Sequence, residues 1–285
     1  MERYYQFGGM DFILDLPEER MAPDEKWLAA FRVSGVSDPH IYRFCIVSEL
    51  TPPRGIKVRS TPRTTIYRDG DTTLCYSELV GNASDPRIFC IVSCGREHRV
   101  ELPDCSSTQE IGVHFVLDCV DMLHLAAEAE GFVLHCSYVE HNGKAILFTA
   151  PCGTGKTTQA ELWHKYRGAR IVNGDRALIR WDGEKLLAEG IPYCGSSTYC
   201  EKASLPVEAV VYLAQAPRTS IRPLGGYEAF SRIWEGVNVH TWDRRDLERA
   251  SEAAQRLAST VPIFYLPCTP DESAVTALEQ ALEGR

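Results

Sequence analysis

Lys156 and Thr157, set directly after two closely spaced glycines, are the residue types that handle phosphate. They lie in Ala150–Thr158, which reads APCGTGKTT. The segment departs from the phosphate-loop pattern G-x-x-x-x-G-K-S/T at one position, where Ala150 replaces the first glycine. A polyphosphate needs many donors and little steric bulk around it. Gly153 and Gly155 let the backbone curl so that successive N–H groups point inward, and a following helix adds its positive N-terminal end. Lys156 would reach the β- and γ-phosphates and the Thr157 hydroxyl would sit on Mg²⁺. The residues expected to hold a nucleotide are therefore Cys152, Gly153, Thr154, Gly155, Lys156, Thr157 and Thr158, with ATP and Mg²⁺ as the ligands. Pro151 offers no N–H but precedes the donors that matter. A thiol at Cys152 is expected to be easily alkylated or oxidised there.

The context supports that reading over a plain glycine-rich surface turn. The apolar run Ala145–Thr149 reads as a strand entering the loop, and TQAELWHKY reads as a helix leaving it, ending near Gly168. Upstream, GFVLHCSYVE and KAILFTA flank Asn142-Gly143, the strongest two-residue hairpin signal. Downstream, ARIVNGD predicts a strand ending at Asp175, and Asp182-Gly183 a further hairpin turn. A buried strand is predicted over 208–215, a helix over 243–260, a strand over 261–267 and a helix over 271–282, with Asp271 or Thr269 as its cap. Residues 1–110 hold short apolar or β-branched runs at 12–16, 41–50, 64–70, 71–79 and 87–94, with Asp69-Gly70 as a hairpin turn. They predict an antiparallel meander. A long apolar helix over 112–129 links this β-rich lobe (1–110) to an α/β nucleotide-binding domain (111–285).

A chain of 285 residues with 44% hydrophobic and 24% charged residues has ample material for a buried core. A net charge of −9 argues against a nucleic-acid or anionic-membrane partner. No apolar run approaches the roughly 18 residues of a membrane span, and MERYYQFGGMDF lacks the features of a secretory signal, so a cytoplasmic location is expected. The 11 cysteines include no C-x-x-C, and several lie in apolar runs, so reduced thiols are expected. Arg54, Lys57, Arg59, Arg63 and Arg68 make a basic stretch that reads as a solvated strand edge or as a docking face for an acidic or phosphorylated acceptor.

Phosphoryl transfer also needs a carboxylate, to hold the metal or accept a proton. Asp175, about 20 residues after Lys156, is the candidate; a guanine-reading N-K-x-D is absent, and the strand VVYLAQ ends in Gln215 instead of an acid. On these residues, LHCSYVEHNGKAILFTAPCGTGKTT followed by ARIVNGDRALI resembles the catalytic domain of HPr serine kinase/phosphorylase and its relatives, a fold related to phosphoenolpyruvate carboxykinase. The resemblance covers about 131–282. It implies an HPr kinase-like α/β (α+β) domain after the β-rich N-terminal lobe that the strand pattern predicts, with Gly153, Gly155, Lys156 and Thr157 in the phosphate loop; residues 1–110 show no comparable match to that family's own N-terminal domain. It implies that His135 lies near the transferring phosphate and that Asp175 is the second of two adjacent acidic residues, the first being Gly174 here. Glu189 is a looser match to a later acidic position. Either Asp175 serves alone, or the chemistry is reduced or lost.

The resulting expectation is a Mg-ATP-dependent phosphotransferase acting on a hydroxyl of a peptide, protein or small molecule, with Lys156, Asp175 and His135 catalytic and Thr157 and Asp175 as metal ligands. The alternatives are a nucleotide-binding regulatory or scaffold protein and a plain ATP hydrolase. Homo-oligomerisation is left open.

Overall fold

The computed structural model describes residues 1–17, 26–79, 87–104 and 113–284. The chain separates into two units, Met1–Val120 and Asp121–Arg285. The first holds an eight-stranded sheet of β1 (Glu2–Phe7), β2 (Met10–Asp15), β3 (His40–Val47), β4 (Ile56–Ser60), β5 (Thr64–Asp69), β6 (Thr72–Leu79), β7 (Arg87–Cys94) and β8 (Glu97–Pro103). Two short helices, α1 (Lys26–Ala29) and α2 (Val113–Cys119), complete the unit. The turn at Asp69-Gly70 joins β5 to β6, with Gly70 at φ 59° and Asp69 facing Thr72.

The sheet order, β1-β2-β3-β8-β7-β6-β5-β4, corrects the expected antiparallel meander. β4 to β8 do meander, but β3 pairs parallel with both β2 and β8. Local turn signals cannot reveal this, because a parallel neighbour is reached by a long crossover, here the stretch between Asp15 and His40. The sequence reading also missed β1, β4 and β8. The single helix expected over 112–129 is two, α2 and α3 (Met122–Glu128). Asp121 accepts the His124 backbone N–H at 3.1 Å, so its carboxylate caps a new helix start.

The second unit continues from α3 with β9 (Phe132–His141), β10 (Lys144–Thr149), α4 (Lys156–Arg167), β11 (Arg170–Asn173), β12 (Arg176–Asp182), β13 (Lys185–Glu189) and β14 (Ser204–Gln215). It ends with β15 (Arg222–Leu224), α5 (Gly226–Trp234), β16 (Val237–Asn238), α6 (Arg244–Thr260), β17 (Ile263–Cys268) and α7 (Glu272–Glu283). The sheet runs β10-β9-β12-β13-β14-β17-β15, and β10 also pairs with β14. β10, β14 and β17 are parallel; β9 and β15 flank them antiparallel. The unit is a mixed α/β fold around a large sheet.

Both faces of that sheet are buried, which is why KAILFT reads as a near-continuous apolar run instead of an alternating one. Ile146 and Phe148 share a core with Ala160 and Trp163 of α4 and Val275 and Leu278 of α7. Ala145 and Leu147 share the opposite core with Ile233 of α5 and Ala254 and Leu257 of α6. The hairpin at Asn142-Gly143 has both residues left-handed (φ 52° and 76°) as a type I′ turn demands. Asp271, of the two caps considered, is the one at the α7 N-terminus; its side chain accepts the Ser273 N–H at 2.9 Å. The sequence reading missed the short β15, α5 and β16.

Away from the glycine loop, α3 and α6 share a charged cluster. His124 Nδ1 lies 3.0 Å from both carboxylate oxygens of the buried Asp246, and His240 Nε2 lies 2.7 Å from Asp121. The Asp246 hydrogen bond is the main reason the His124 imidazole is pushed up to about 9, with Asp121 and Glu128 adding to it. His240 is also raised: burial, the largest single effect, lowers it, and the Asp121 hydrogen bond together with the Asp121 and Asp246 charges more than offsets that. A histidine raised on folding contributes stability below its unfolded value of about 6.5 and loses it as pH climbs through the folded value. Melting temperature is therefore expected to fall between pH 6.5 and 9. His124→Gln should flatten that slope; a slope unchanged in the variant would contradict the assignment.

Candidate active site

β10 delivers the chain to the loop at Thr149, and α4 carries it away from Lys156. The sharp reversal between them uses left-handed backbone at Gly153 (φ 77°) and Gly155 (φ 113°), which side-chain-bearing residues rarely adopt. Gly155 is the N-cap of α4, and no side chain caps the helix. The first-turn N–H groups of Lys156, Thr157 and Thr158 thus have no capping side chain, and they carry the positive end of the helix dipole.

Lys156 is only 8% exposed. Its Nζ lies 3.2 Å from the Ala150 carbonyl and 3.5 Å from that of Pro151, so the buried ammonium is held by neutral oxygens. A buried cation is costly without a counter-charge. Its backbone is fixed too, since the buried Ser137 hydroxyl of β9 donates to the Lys156 carbonyl. The Thr157 hydroxyl donates to the Gly174 carbonyl at 3.1 Å, which ties α4 to the segment between β11 and β12.

That segment corrects the strand expected to end at Asp175. β11 stops at Asn173 and β12 starts at Arg176, leaving Gly174 and Asp175 in the break. Asn173 makes the break: its Oδ1 accepts the N–H groups of Asp175 (2.9 Å) and Arg176 (3.0 Å). These are the bonds of an Asx turn, and they compete with a strand ladder. Its Nδ2 donates to the carbonyls of Ile191 (3.1 Å) and Tyr193 (3.3 Å), tying the turn to the loop after β13.

The Asp175 carboxylate is a quarter exposed, paired with Arg176 on one side and approached by His135 on the other. His135 Nε2 lies 3.6 Å from Oδ1, and Arg176 Nε lies 3.1 Å from Oδ2. Burial lowers the His135 imidazole below its usual value, and the nearby Lys156 charge lowers it further against the pull of Asp175. Both effects favour the neutral form of His135. Across the strands His135 is the register partner of Arg176, so an imidazole, a guanidinium and a carboxylate meet beside the loop.

Residue 174 has no room for a side chain. A Cβ there would lie 2.1 Å from the Ser197 hydroxyl oxygen and 2.6 Å from its Cβ. Gly195, left-handed at φ 57°, presses its backbone on Asp175; a Cβ there would sit 2.7 Å from the carboxylate carbon. Gly174→Ala is expected to cost about 1–3 kcal/mol by overpacking, and adding Ser197→Gly should recover most of it in denaturant titrations. Equal stability of Gly174→Ala and the natural protein would contradict this packing.

The structure thus brings together Lys156, Thr157, His135 and Asp175, together with the loop residues. Glu189 is elsewhere: it is buried and paired with Arg180 at 2.7 Å and the Ser204 hydroxyl at 3.0 Å. Cys152 is exposed, and the ten described cysteines are unbridged thiols. Sequence reasoning missed Asn173, Arg176, Gly195 and Ser197. Only Asn-Gly-Asp carried a signal, as a turn; the closeness of the 191–199 loop had none. Gln215 reaches back to the loop, its Nε2 3.4 Å from the carbonyls of Gly153 and Thr154.

Among the described residues no helix is long and apolar enough to cross a membrane. No curated protein matches the chain. Among solved structures, it is similar to the Hpr(Ser) kinase/phosphatase from Coxiella burnetii at 14% identity, over 53% of this chain and 93% of that one, with a TM-score of 0.32. A likeness at that distance says nothing of activity. Residues 100–283 match a family described as SynChlorMet cassette protein ScmC. With well over half of its length matched, the chain belongs to the ScmC family.

Proposed function

We propose that the protein is a Mg-ATP-dependent phosphotransferase that moves the γ-phosphoryl group to a hydroxyl on a peptide, protein or small molecule. The observation that supports this most is the buried Lys156 ammonium. It faces the loop with carbonyls as its hydrogen-bond partners, beside an uncapped helix start and two left-handed glycines. A polyanion in the loop would supply the missing counter-charge and take up the orphan N–H groups.

The residues present fit Mg²⁺ as well: Thr157 and Asp175 offer the hydroxyl and carboxylate oxygens that this hard cation prefers. Bound there, Mg²⁺ would neutralise charge on the β- and γ-oxygens. Lys156 and the loop amides would stabilise the same oxygens from the other side. Asp175, held by Arg176 and Asn173, would orient the acceptor hydroxyl and take its proton. His135, whose neutral form burial and Lys156 favour, would place its one N–H beside the Asp175 carboxylate.

One observation favours a second reading. Ser197 fills the space beside Gly174, so the site holds Asp175 without an adjacent carboxylate, as a nucleotide-binding scaffold with reduced chemistry would. Single-turnover incubation with γ-labelled Mg-ATP and cell extract separates the two. Label on an acceptor supports the phosphotransferase. Tight binding with all label left in ATP supports the scaffold, and free phosphate without an acceptor a hydrolase.

A further inference from the structure

The glycine loop has two sides, and the carboxylate and imidazole occupy one of them. Asp175 and His135 lie on the β9 side of β10. On the β14 and β17 side lies an open cleft of ≈ 480 Å³. Its floor is the C-terminal end of β14, Tyr212 to Gln215, and its rim is the loop itself, Pro151 to Thr154. The C-terminal ends of parallel strands are where α/β sheets take ligands.

The wall of this cleft is aromatic and fixed. The Tyr212 and Tyr265 rings lie with centroids 6.3 Å apart at 36°. The Tyr212 hydroxyl donates to the Glu235 carboxylate, and Arg232 pairs with the same carboxylate at 3.0 Å. The Arg232 guanidinium also covers the Tyr212 ring at 4.9 Å from its centroid. A bare phosphate chain has no use for such a wall. A flat heteroaromatic ring with a polar sugar does, and the volume falls in the range of small-molecule sites.

We infer that this cleft is the nucleoside subsite: a polyphosphate in the loop would point its terminal phosphate to Asp175 and its base toward Tyr265 and Arg232. The inference rests on the proposed phosphate-binding loop and deepens it. It adds the residues that would recognise the nucleoside, the part of Mg-ATP that inorganic pyrophosphate lacks.

Calorimetric titrations with Mg-ADP and with Mg-pyrophosphate test it, on the natural protein, Tyr265→Ala and Tyr265→Phe. Loss of a stacking aromatic should weaken Mg-ADP about tenfold, leave Mg-pyrophosphate within about twofold, and be rescued by Phe. Ala214→Trp, which fills the cleft from β14, should do the same without removing the wall, and decides the matter if Tyr265→Ala fails to fold. The inference is overturned if these variants bind Mg-ADP as the natural protein does, or if both ligands weaken equally. It is also overturned if the natural protein binds the two ligands alike. A protein that binds neither loses the phosphate-loop reading as well, so the two failures are told apart.

Discussion

Lys156→Ala is expected to weaken Mg-ADP binding severely while leaving the free protein as stable as before or slightly more stable. The opposite signs follow from one fact. Among the described residues the hydrogen-bond partners of this buried ammonium are two neutral carbonyls, and an anion would be a better partner than either. Removing one partner of a buried, hydrogen-bonded charge pair costs about 2–5 kcal/mol in binding. That is roughly thirtyfold to several thousandfold in affinity. Calorimetry for the ligand and thermal melts for the free protein check both halves. A variant that binds as the natural protein does would show that Lys156 is not part of an anion site. One that unfolds would show that the side chain is a structural strut.

Asp175→Asn should leave the fold and the Arg176 contact in place and lower phosphoryl transfer about a hundredfold to ten-thousandfold. Asparagine keeps the size and an oxygen acceptor for Arg176 Nε but cannot take a proton, and it is a poorer ligand for a hard cation. ADP binding without Mg²⁺ should be unchanged, whereas Mg-ADP binding should weaken. Label transfer in a single turnover reads the first effect and paired titrations the second. Transfer at the natural rate would remove Asp175 from the chemistry and shift attention to His135 or to a group on the acceptor.

How much of this could be read from the residues varies with how local the cause is. The Asn142-Gly143 and Asp182-Gly183 hairpins, the α4 boundaries and the Asp271 cap lie where residue types set backbone angles or hydrogen bonds within a few positions. The path of β3 does not, because its neighbours β2 and β8 are chosen by a crossover that no turn residue marks. The same division runs through the site. The glycines, Lys156 and Thr157 announce themselves by spacing, and Asp175 by its place after a β-branched run. The roles of Gly174 and Gly195 depend on the 191–199 loop folding back on the β11–β12 break, a contact between segments some 20 residues apart. Asn173 was visible as a turn residue, but its second job, holding Ile191 and Tyr193, was not.

A crystal structure with Mg-ADP tests the central claim most directly. The account predicts the β-phosphate within hydrogen-bond distance of backbone N–H groups between Gly153 and Thr158, with Lys156 Nζ turned from the Ala150 carbonyl onto a phosphate oxygen. Crystals soaked at saturating ligand that show the loop empty and Lys156 still on its carbonyls would contradict it.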